Sequence, residues 1–516
     1  MNQPSSANSQ VLIVGAGPTG LVLALWLTHF GVRVRIIDKT AGPGTTSRAL
    51  AVQARTLEFY RQMGFADDVV SRGIRIGAVS FWVAGKKKTR AVFGEFGANL
   101  SPYPFALDFS QDEHERFLID RLAAAGVHVE RETELVSFDL AADRVLARLK
   151  KPDGSSETFE TPFLLGCDGA RSVVRERLGI GFPGGTYSHL FFVADVNGSG
   201  PVMNGDIHVG LDRSEFLAVF PMKGDHRARL VGTIRDETTR QRDELDWEDV
   251  NKRVVAWMKI DVNRVNWFSS YRVHHRVADH FRQGRAFLLG DAGHIHSPVG
   301  GQGMNTGIGD AVNLAWKIAA VLKGRADASL LDSYEPERIA FARRLVATTD
   351  RAFIAVTDPG LIARVIRLDV APNLLPLLFK FNAFRRLMFR TVSQSVVEYR
   401  DSSLSQGQAG DVHGGDRLPW VKFASNGNYQ DNFAPLTSFA WQIHIYGAAP
   451  PEIEKLCRER KIQLCVFPWR DEVSRTGLRH NALYLIRPDG YVALADPAAS
   501  PAPLNSYLDS RRLSPN

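Results

Sequence analysis

The feature that most constrains this chain is a glycine-spaced turn near its N-terminus. Val11-Leu12-Ile13-Val14 is an unbroken apolar run, the form a strand takes when it is buried on both faces. It is closed by Gly15-Ala16-Gly17-Pro18-Thr19-Gly20, after which Leu21 to Phe30 reads as a helix stopped by Gly31. Val32 to Ile37 then returns as a strand ending at Asp38, completing a βαβ unit. Gly15 permits the tight turn, Gly17 lets the backbone approach a pyrophosphate, and Gly20 lets helix and strand pack closely. The helix N-terminus turns unpaired N–H groups and partial positive charge toward phosphates. Asp38 stands where a carboxylate can accept hydrogen bonds from ribose hydroxyls. Glycine-rich turns are common, but the strand before, the helix after and the acid beyond make this one a dinucleotide site. The turn alone does not separate a flavin from a nicotinamide.

At 516 residues the chain exceeds one ordinary core, and two or three domains are expected. A helix is expected over Leu50 to Met63, short strands from Ile74 to Phe109, a helix over Asp112 to Ala125 and a strand over Val127 to Glu130. Leu135 to Leu149 and Glu157 to Leu165 alternate like antiparallel strands around Pro152-Asp153-Gly154. From Phe182 to Val273 strand patterns dominate, with one helix near Trp247 to Met258. This reads as a sheet inserted into the nucleotide-binding fold. Ala286 to Leu289 and Met304 to Leu322 return to that fold as strand and helix. From Gln406 onward Gly, Asp and Pro cluster, then strands and a helix resume as a candidate third domain.

Charge and cysteine content narrow the function classes. The net charge of +7, from 63 basic and 56 acidic residues, holds no basic block beyond Lys86-Lys87-Lys88, read as an exposed turn. Nucleic-acid binding is not expected. Cys167, Cys457 and Cys465 form neither a CxxC nor a disulfide framework, so a cytoplasmic location is expected. Met1 to Gln10 is polar and has no signal-peptide pattern. The apolar stretch Leu361 to Phe389 is interrupted by Arg364, Arg367, Asp369, Pro372, Pro376 and Lys380, which excludes an unbroken span; buried amphipathic helices are expected instead. His294 and His296 near Asp291 lack a third ligand in sequence, and no metal is assigned.

Three further segments carry a resemblance. Gly166-Cys167-Asp168-Gly169-Ala170-Arg171-Ser172, then Gly290-Asp291-Ala292-Gly293-His294, then Ser297-Pro298-Val299-Gly300-Gly301-Gln302-Gly303-Met304-Asn305-Thr306-Gly307 occur in the order and spacing of flavoprotein aromatic hydroxylases. The chain resembles single-component FAD monooxygenases of the para-hydroxybenzoate hydroxylase type. Its C-terminal extension points to the branch of phenol, pentachlorophenol and polyketide-tailoring hydroxylases. In that extension Gly415-Asp416-Arg417-Leu418-Pro419 and Leu485-Ile486-Arg487-Pro488-Asp489-Gly490-Tyr491 resemble the branch's thioredoxin-like domain.

The resemblance implies an α/β architecture with a Rossmann-like FAD-binding domain over 1–75, 106–180 and 274–400. It also implies an inserted β-sheet substrate domain over 76–105 and 181–273, and a C-terminal thioredoxin-like domain over 406–516. The implied cofactor is FAD, with NAD(P)H as co-substrate and O2 and a small aromatic compound as reactants; a homodimer is left open. The implied reaction is hydroxylation of an electron-rich phenol or polyketide-like ring through a flavin C4a-hydroperoxide. The residues implied at the cofactor are Gly15, Gly17, Pro18, Thr19, Gly20, Asp38, Lys39, Arg48, Gln111, Asp168, Asp291, Pro298, Gly301, Gly303, Met304 and Asn305. Lys39 reads equally as a surface lysine. The Pro298 backbone carbonyl is the one catalytic candidate, as an orienting group for the hydroperoxide proton. The helix opening near Gly303 would turn N–H groups to the flavin N1–C2=O edge, where charge accumulates on reduction. Phe191, Phe192, Phe216, Phe220 and Met222 are expected either on a substrate-facing surface of the insert or simply in its core. Epoxidation or Baeyer–Villiger insertion on the same scaffold, or FAD binding without catalysis, are the alternatives. A second glycine fingerprint is absent, which argues against two-dinucleotide flavoproteins. The Trp-x-Trp-x-Ile motif of flavin halogenases is absent too.

Overall fold

The computed structural model describes residues 9–44, 49–83, 85–211, 216–234, 245–250, 252–297, 299–357, 360, 365, 368, 370–425 and 428–515. Arg48 and Pro298 lie outside the described residues. The expected βαβ unit is present as β1 (Val11–Val14), α1 (Pro18–His29) and β2 (Val34–Ile37). The same layer then gains α2 (Gln111–Ala124), β3 (Val129–Glu130), β4 (Phe163–Gly166), β5 (Ala286–Leu288) and α3 (Gly303–Leu322). Strand β1 runs parallel between β2 and β4, with β3 beyond β2 and β5 beyond β4. All four residues of β1 are buried, which is why its apolar run shows no alternation. α1 is apolar almost all round because it packs against both α2 and α3.

Tertiary pairing moves several expected boundaries. The helix expected from Leu50 begins at Ala54, because Ala51–Val52 forms a strand antiparallel to Ala106–Asp108. The run 157–165 breaks at Pro162: Ser156–Thr161 is antiparallel, whereas Phe163–Gly166 becomes parallel β4. The lysine triplet is not a turn but the start of strand Lys86–Val92, at the edge of its sheet. Exposed lysines there discourage pairing with another chain. The helices Ala371–Leu378 and Asn382–Val392 are less buried than expected. Phe389 packs against Gly97 and Phe379 stacks on Phe96, but Leu374, Leu377, Phe381 and Leu387 stay exposed. Amphipathic spacing identified an apolar face without supplying a partner for all of it.

The insert is an eight-stranded sheet. Its order is His294–Ile295, Asp261–Val277, Gly184–Ser199, Arg227–Ile234, Phe216–Pro221, Ile207–Leu211, Ala78–Val83 and Lys86–Val92. Alternation divides its residues between two faces. Phe192, Ala194, Val196, Leu217, Val219 and Leu230 pack on one face with Val254 and Met258. Phe191, Val193, Tyr271 and Val273 lie on the other, with Phe216, Val231 and Trp267. Phe192 is therefore on the opposite face from Phe191 and Phe216, a correction imposed by strand periodicity.

The tail forms a six-stranded sheet in the order Val412–His413, Gln406–Ala409, Val492–Asp496, Leu483–Ile486, Gln442–Tyr446, Gln463–Phe467. Gln442–Tyr446 and Gln463–Phe467 are parallel and joined by helix Pro451–Arg460; an antiparallel hairpin and helix Pro501–Ser510 follow.

The tail docks through its two distinctive motifs. Glu337, on α4 (Tyr334–Thr357), accepts hydrogen bonds from Asn313 (2.6 Å) and Lys317 (2.8 Å) of α3 and from Ser402 (2.6 Å). It also accepts two from Arg487 (2.8 and 3.1 Å), whose guanidinium continues to Asp489. The Lys317, Glu337 and Arg487 side chains are fully buried. A second buried carboxylate, Glu58, receives Arg55, Ser101 and the tail residue Arg417. Despite its burial, Arg487 and Lys317 hold the Glu337 carboxyl well below the usual carboxylate range.

Removing one member of such a cluster leaves uncompensated buried charge. Glu337→Gln should cost about 3–5 kcal/mol at pH 7, measured by denaturant unfolding. Because the folded carboxyl is depressed, its contribution is present above the ordinary carboxylate pKa and fades as pH falls below it. The difference between variant and parent should therefore shrink below about pH 4.

Candidate active site

The glycine turn, the segment at 290 and helix α3 meet at one side chain. A Cβ built on Gly290 would lie 2.7 Å from Thr19 Oγ1, and one on Gly307 would lie 2.3 Å from it. Gly15 has φ +104, and a Cβ there would strike the Cys167 carbonyl at 2.3 Å. A Cβ on Gly20 would lie 2.0 Å from the Gly15 carbonyl. These glycines serve backbone contact within the protein. Gly17 differs: a Cβ there would meet nothing within 4 Å. That open space lies at the N-terminus of α1, where Pro18 occupies the first turn and no side chain caps the helix.

Asp38 supports the turn from the next strand. Its carboxylate accepts from Ala16 N (2.7 Å) and from Thr40 N (2.8 Å) and Oγ1 (2.7 Å). Arg131 stands 3.8 Å away, and its NH2, buried, has no hydrogen-bond partner among the described residues. Arg131 was not found by the sequence reading, since an arginine just beyond a strand carries no local signal. Lys39, beside Asp38, is exposed.

Asp168 follows β4, and its Oδ2 accepts from Val174 N (3.1 Å) while Oδ1 is buried without a partner among the described residues. Burial pushes its carboxyl up. Asp291 is exposed in a 3-10 turn, Gly290–Ala292, just past the end of β5. Gln111 opens α2; its Nε2 donates to Glu115 (2.8 Å), whose other oxygen accepts from Gly44 N (3.1 Å). Glu115 thus ties α2 to the loop before residue 45, another contact that only folding reveals.

The glycine-rich segment enters α3 through left-handed backbone at Gly300 and Gly301. A Cβ on Gly301 would lie 2.8 Å from Ala51 Cβ, and one on Gly303 would approach only the His296 ring, at 3.8 Å. The first turn of α3 has neither a side-chain cap nor an acidic residue, so its N–H groups can face an electron-rich edge. Met304 is half-buried against the core. The Asn305 side chain is used within the protein. Oδ1 accepts from Gln53 N (2.9 Å) and Thr56 Oγ1 (2.8 Å), and Nδ2 donates to Ala51 O and Gly301 O (both 2.9 Å). It is a brace for the loop, leaving only its backbone for a ligand.

Asp310 holds this half of the site together. Fully buried, it accepts from Gly290 N (2.9 Å) and Arg338 Nε (2.6 Å), and His294 Nε2 lies 2.7 Å from it. His294 is thereby committed to a carboxylate rather than to a metal. His296 is buried, with Nδ1 against the Ser297 carbonyl, and burial lowers its pKa to about 4. Among the described residues no three His, Cys, Asp or Glu side chains gather as a metal site.

The donor set fits FAD. Open space lies at Gly17 on a helix N-terminus, polar atoms of Arg131 and Asp168 without a partner among the described residues are buried beside the turn, and a second helix N-terminus opens from a Gly-Gly loop. Comparison with known proteins agrees. Residues 8–349 match the family model described as FAD binding domain. The chain is 35% identical to 6-methylpretetramide 4-monooxygenase of Streptomyces rimosus, covering 99% of this chain and 95% of that protein. It is 31% identical to pentachlorophenol 4-monooxygenase of Sphingobium chlorophenolicum, over 82% of this chain and 78% of that one. Among solved structures it superposes on aklavinone-11 hydroxylase, in complex with FAD and aklavinone, with TM-score 0.78 at 25% identity, covering 99% and 100% of the two chains. Diels-Alderase PyrE3 superposes with TM-score 0.76 at 28% identity, over 99% and 100%. The chain belongs to the FAD-binding-domain family and is an FAD-dependent aromatic monooxygenase.

Proposed function

We propose that this monooxygenase hydroxylates a flat, multi-ring phenolic compound of polyketide type, with NAD(P)H as reductant and O2 as oxygen source. The observation that carries the reading is the aromatic cluster on one face of the insert, where buried Phe191 and Tyr271 back the half-buried rings of Phe216 and Trp267. The near-complete coverage of a polyketide monooxygenase supports it. FAD, when bound, supplies the electron transfer and oxygen chemistry. The protein's task is to bind, orient and exclude water. In this reading the first turn of α1 and the space at Gly17 take the pyrophosphate, while Asp38 and Arg131 flank the adenosine ribose. Asp168, Asp291, Gln111 and Arg48 contact the remaining FAD groups. The N–H groups from Gly303 to Asn305 face the flavin ring, and the Pro298 carbonyl orients the proton of the oxygenating species.

The tail, with its βαβ unit, hairpin and closing helix, is proposed as a thioredoxin-like domain that serves assembly rather than redox turnover. Burial pushes the Cys457 and Cys465 thiols up to about 11, which leaves them thiols rather than reactive thiolates. A cytoplasmic location is proposed on the same three unpaired cysteines; no helix among the described residues is long and apolar enough to cross a membrane. A second copy of the chain is proposed to cover Leu374, Leu377, Phe381 and Leu387, and light scattering of the purified protein would test that dimer.

The decisive experiment is an NADPH-oxidation screen over phenols and aromatic polyketides, with mass spectrometry for the gain of one oxygen atom. Consumption of NADPH with an oxygenated product is expected. A changed carbon skeleton without NADPH use would instead point to ring-forming chemistry, as the Diels-Alderase neighbour shows this fold can host.

Two glycine variants separate ligand approach from internal packing. Gly17→Val should fold with nearly unchanged melting in the FAD-free state yet bind FAD weakly. Gly20→Val should fail to fold, because its Cβ meets the Gly15 carbonyl. Asp291→Ala should lose about 1–3 kcal/mol of FAD affinity, read by titration of flavin fluorescence. The Cys457→Ser, Cys465→Ser double variant should keep full NADPH-dependent oxygenation.

A further inference from the structure

One ionisable group at the junction of insert and nucleotide layer has no structural use. Asp108 ends the strand Ala106–Asp108, is 6% exposed, and its buried Oδ2 has no hydrogen-bond partner among the described residues. An orphaned carboxylate oxygen costs stability unless a ligand or water meets it. Its position is informative. Asp108 pairs across the strand with Ala51, against which Gly301 of the glycine-rich loop packs. Three residues later the chain reaches Gln111.

Within electrostatic reach of it is a charged pair on the insert face that carries Phe191. Arg229 and Asp195 are opposite each other in the insert sheet and joined by two hydrogen bonds of 2.6 and 2.8 Å. Trp267 is the next residue in that row, with Arg229 over its ring. Thr233, on the same face, has a buried hydroxyl without a partner among the described residues. The charged groups acting on Asp108 are Arg229 and Asp195 from the insert and Glu113 from α2. Burial pushes its carboxyl up to about 8; Arg229 opposes the shift and the two acids reinforce it. Asp108 is thus a buried acceptor, unpaired among the described residues, within reach of a charged pair that packs on the Trp267 ring.

We propose that Asp108 receives an acidic hydroxyl, phenol or enol, of the bound aromatic substrate and so selects which ring edge is presented for oxygenation. The inference rests on the monooxygenase reading above and names the contact that would orient its substrate. In the proton step the substrate O–H bond breaks, the proton passes to the Asp108 carboxylate, and the oxygen keeps the electron pair. The phenolate so formed is richer in electrons at the ortho and para carbons, where an electrophilic oxygen is taken up. A carboxyl that titrates near 8 is matched to this exchange better than one near 4.

The test uses the FAD-loaded enzyme and two probes, 2-naphthol and 2-methoxynaphthalene, in which a methyl group replaces the hydroxyl proton. Binding is followed by perturbation of the flavin absorbance. The parent should prefer naphthol about tenfold or more at pH 8.5, and less at pH 6, because only the ionised carboxylate is a full acceptor. Asp108→Leu should bind both probes equally. Asp108→Asn provides a readout free of any ligand. A raised folded pKa costs stability progressively as pH climbs from the ordinary carboxylate value toward 8. The Asn variant should therefore melt above the parent at pH 8.5, by a margin larger than at pH 5. Absence of binding by either probe, an undiminished preference in Asp108→Leu, or an Asn variant that melts no higher than the parent would each overturn the proposal. Failure of the NADPH screen with the naphthol preference intact would strike the reading of the reaction and leave this contact standing.

Discussion

Two neighbouring residues on α4 hold the halves of this molecule in register. Arg338 reaches toward the cofactor side, donating to Asp310, to the Thr306 carbonyl and to Tyr399. Glu337 reaches toward the tail, gathering Lys317, Asn313, Ser402 and Arg487. Asp310, Asn313 and Lys317 recur at three- and four-residue spacing, so they present one buried polar stripe of α3 to these two residues. Buried charges of this kind give little net stability compared with apolar packing. Their strict demand for partners makes any other packing of α3 against α4 unaffordable. The turn at Gly290, held by Asp310, inherits its position from that seam.

The site is built largely from backbone. Thr19, Gly290 and Gly307 touch at distances that no side chain larger than hydrogen would allow on either glycine. Three segments far apart in sequence thereby bring two helix N-termini to one region. The Asn305 side chain braces the loop with four hydrogen bonds, which leaves its backbone free to face a ligand. Arg131, which carries no local signal, and Asp168, which its motif marks, both hold a polar atom buried and unmatched among the described residues. This division suits a flavoprotein: the cofactor carries the reaction, and the protein needs precise backbone dipoles more than reactive side chains.

The tail shows how far a motif can be read. Arg417 and the Arg487-Pro488-Asp489 run stand out in sequence, yet nothing local says what they do. In the fold Arg417 meets Glu58, Pro488 O accepts from Gln62, and Asp489 O accepts from Arg55. Both motifs are the docking surface of the tail on the nucleotide-binding layer. The missing CxxC already argued against redox turnover, and the raised thiol pKa values of Cys457 and Cys465 give the physical complement.

What the sequence determined by itself is whatever rests on short-range geometry. The βαβ unit follows from an apolar strand, glycines at required offsets and an acid at the next strand end, all within 28 residues. Strand alternation likewise marked the insert as a sheet. What only the tertiary structure decided is which face and which partner each residue meets. Phe191 and Phe192 are equivalent in composition, but the pleat sends them to opposite sides of the sheet. Ala51 could not be read as a strand until residue 108 lay beside it. The apolar helices after residue 370 show the converse: their pattern called for burial that the fold supplies on one side only. Asp108 is the sharpest case, an ordinary aspartate in the chain, made unusual only because folding buries it beside Arg229 and Asp195 and leaves one oxygen without a partner.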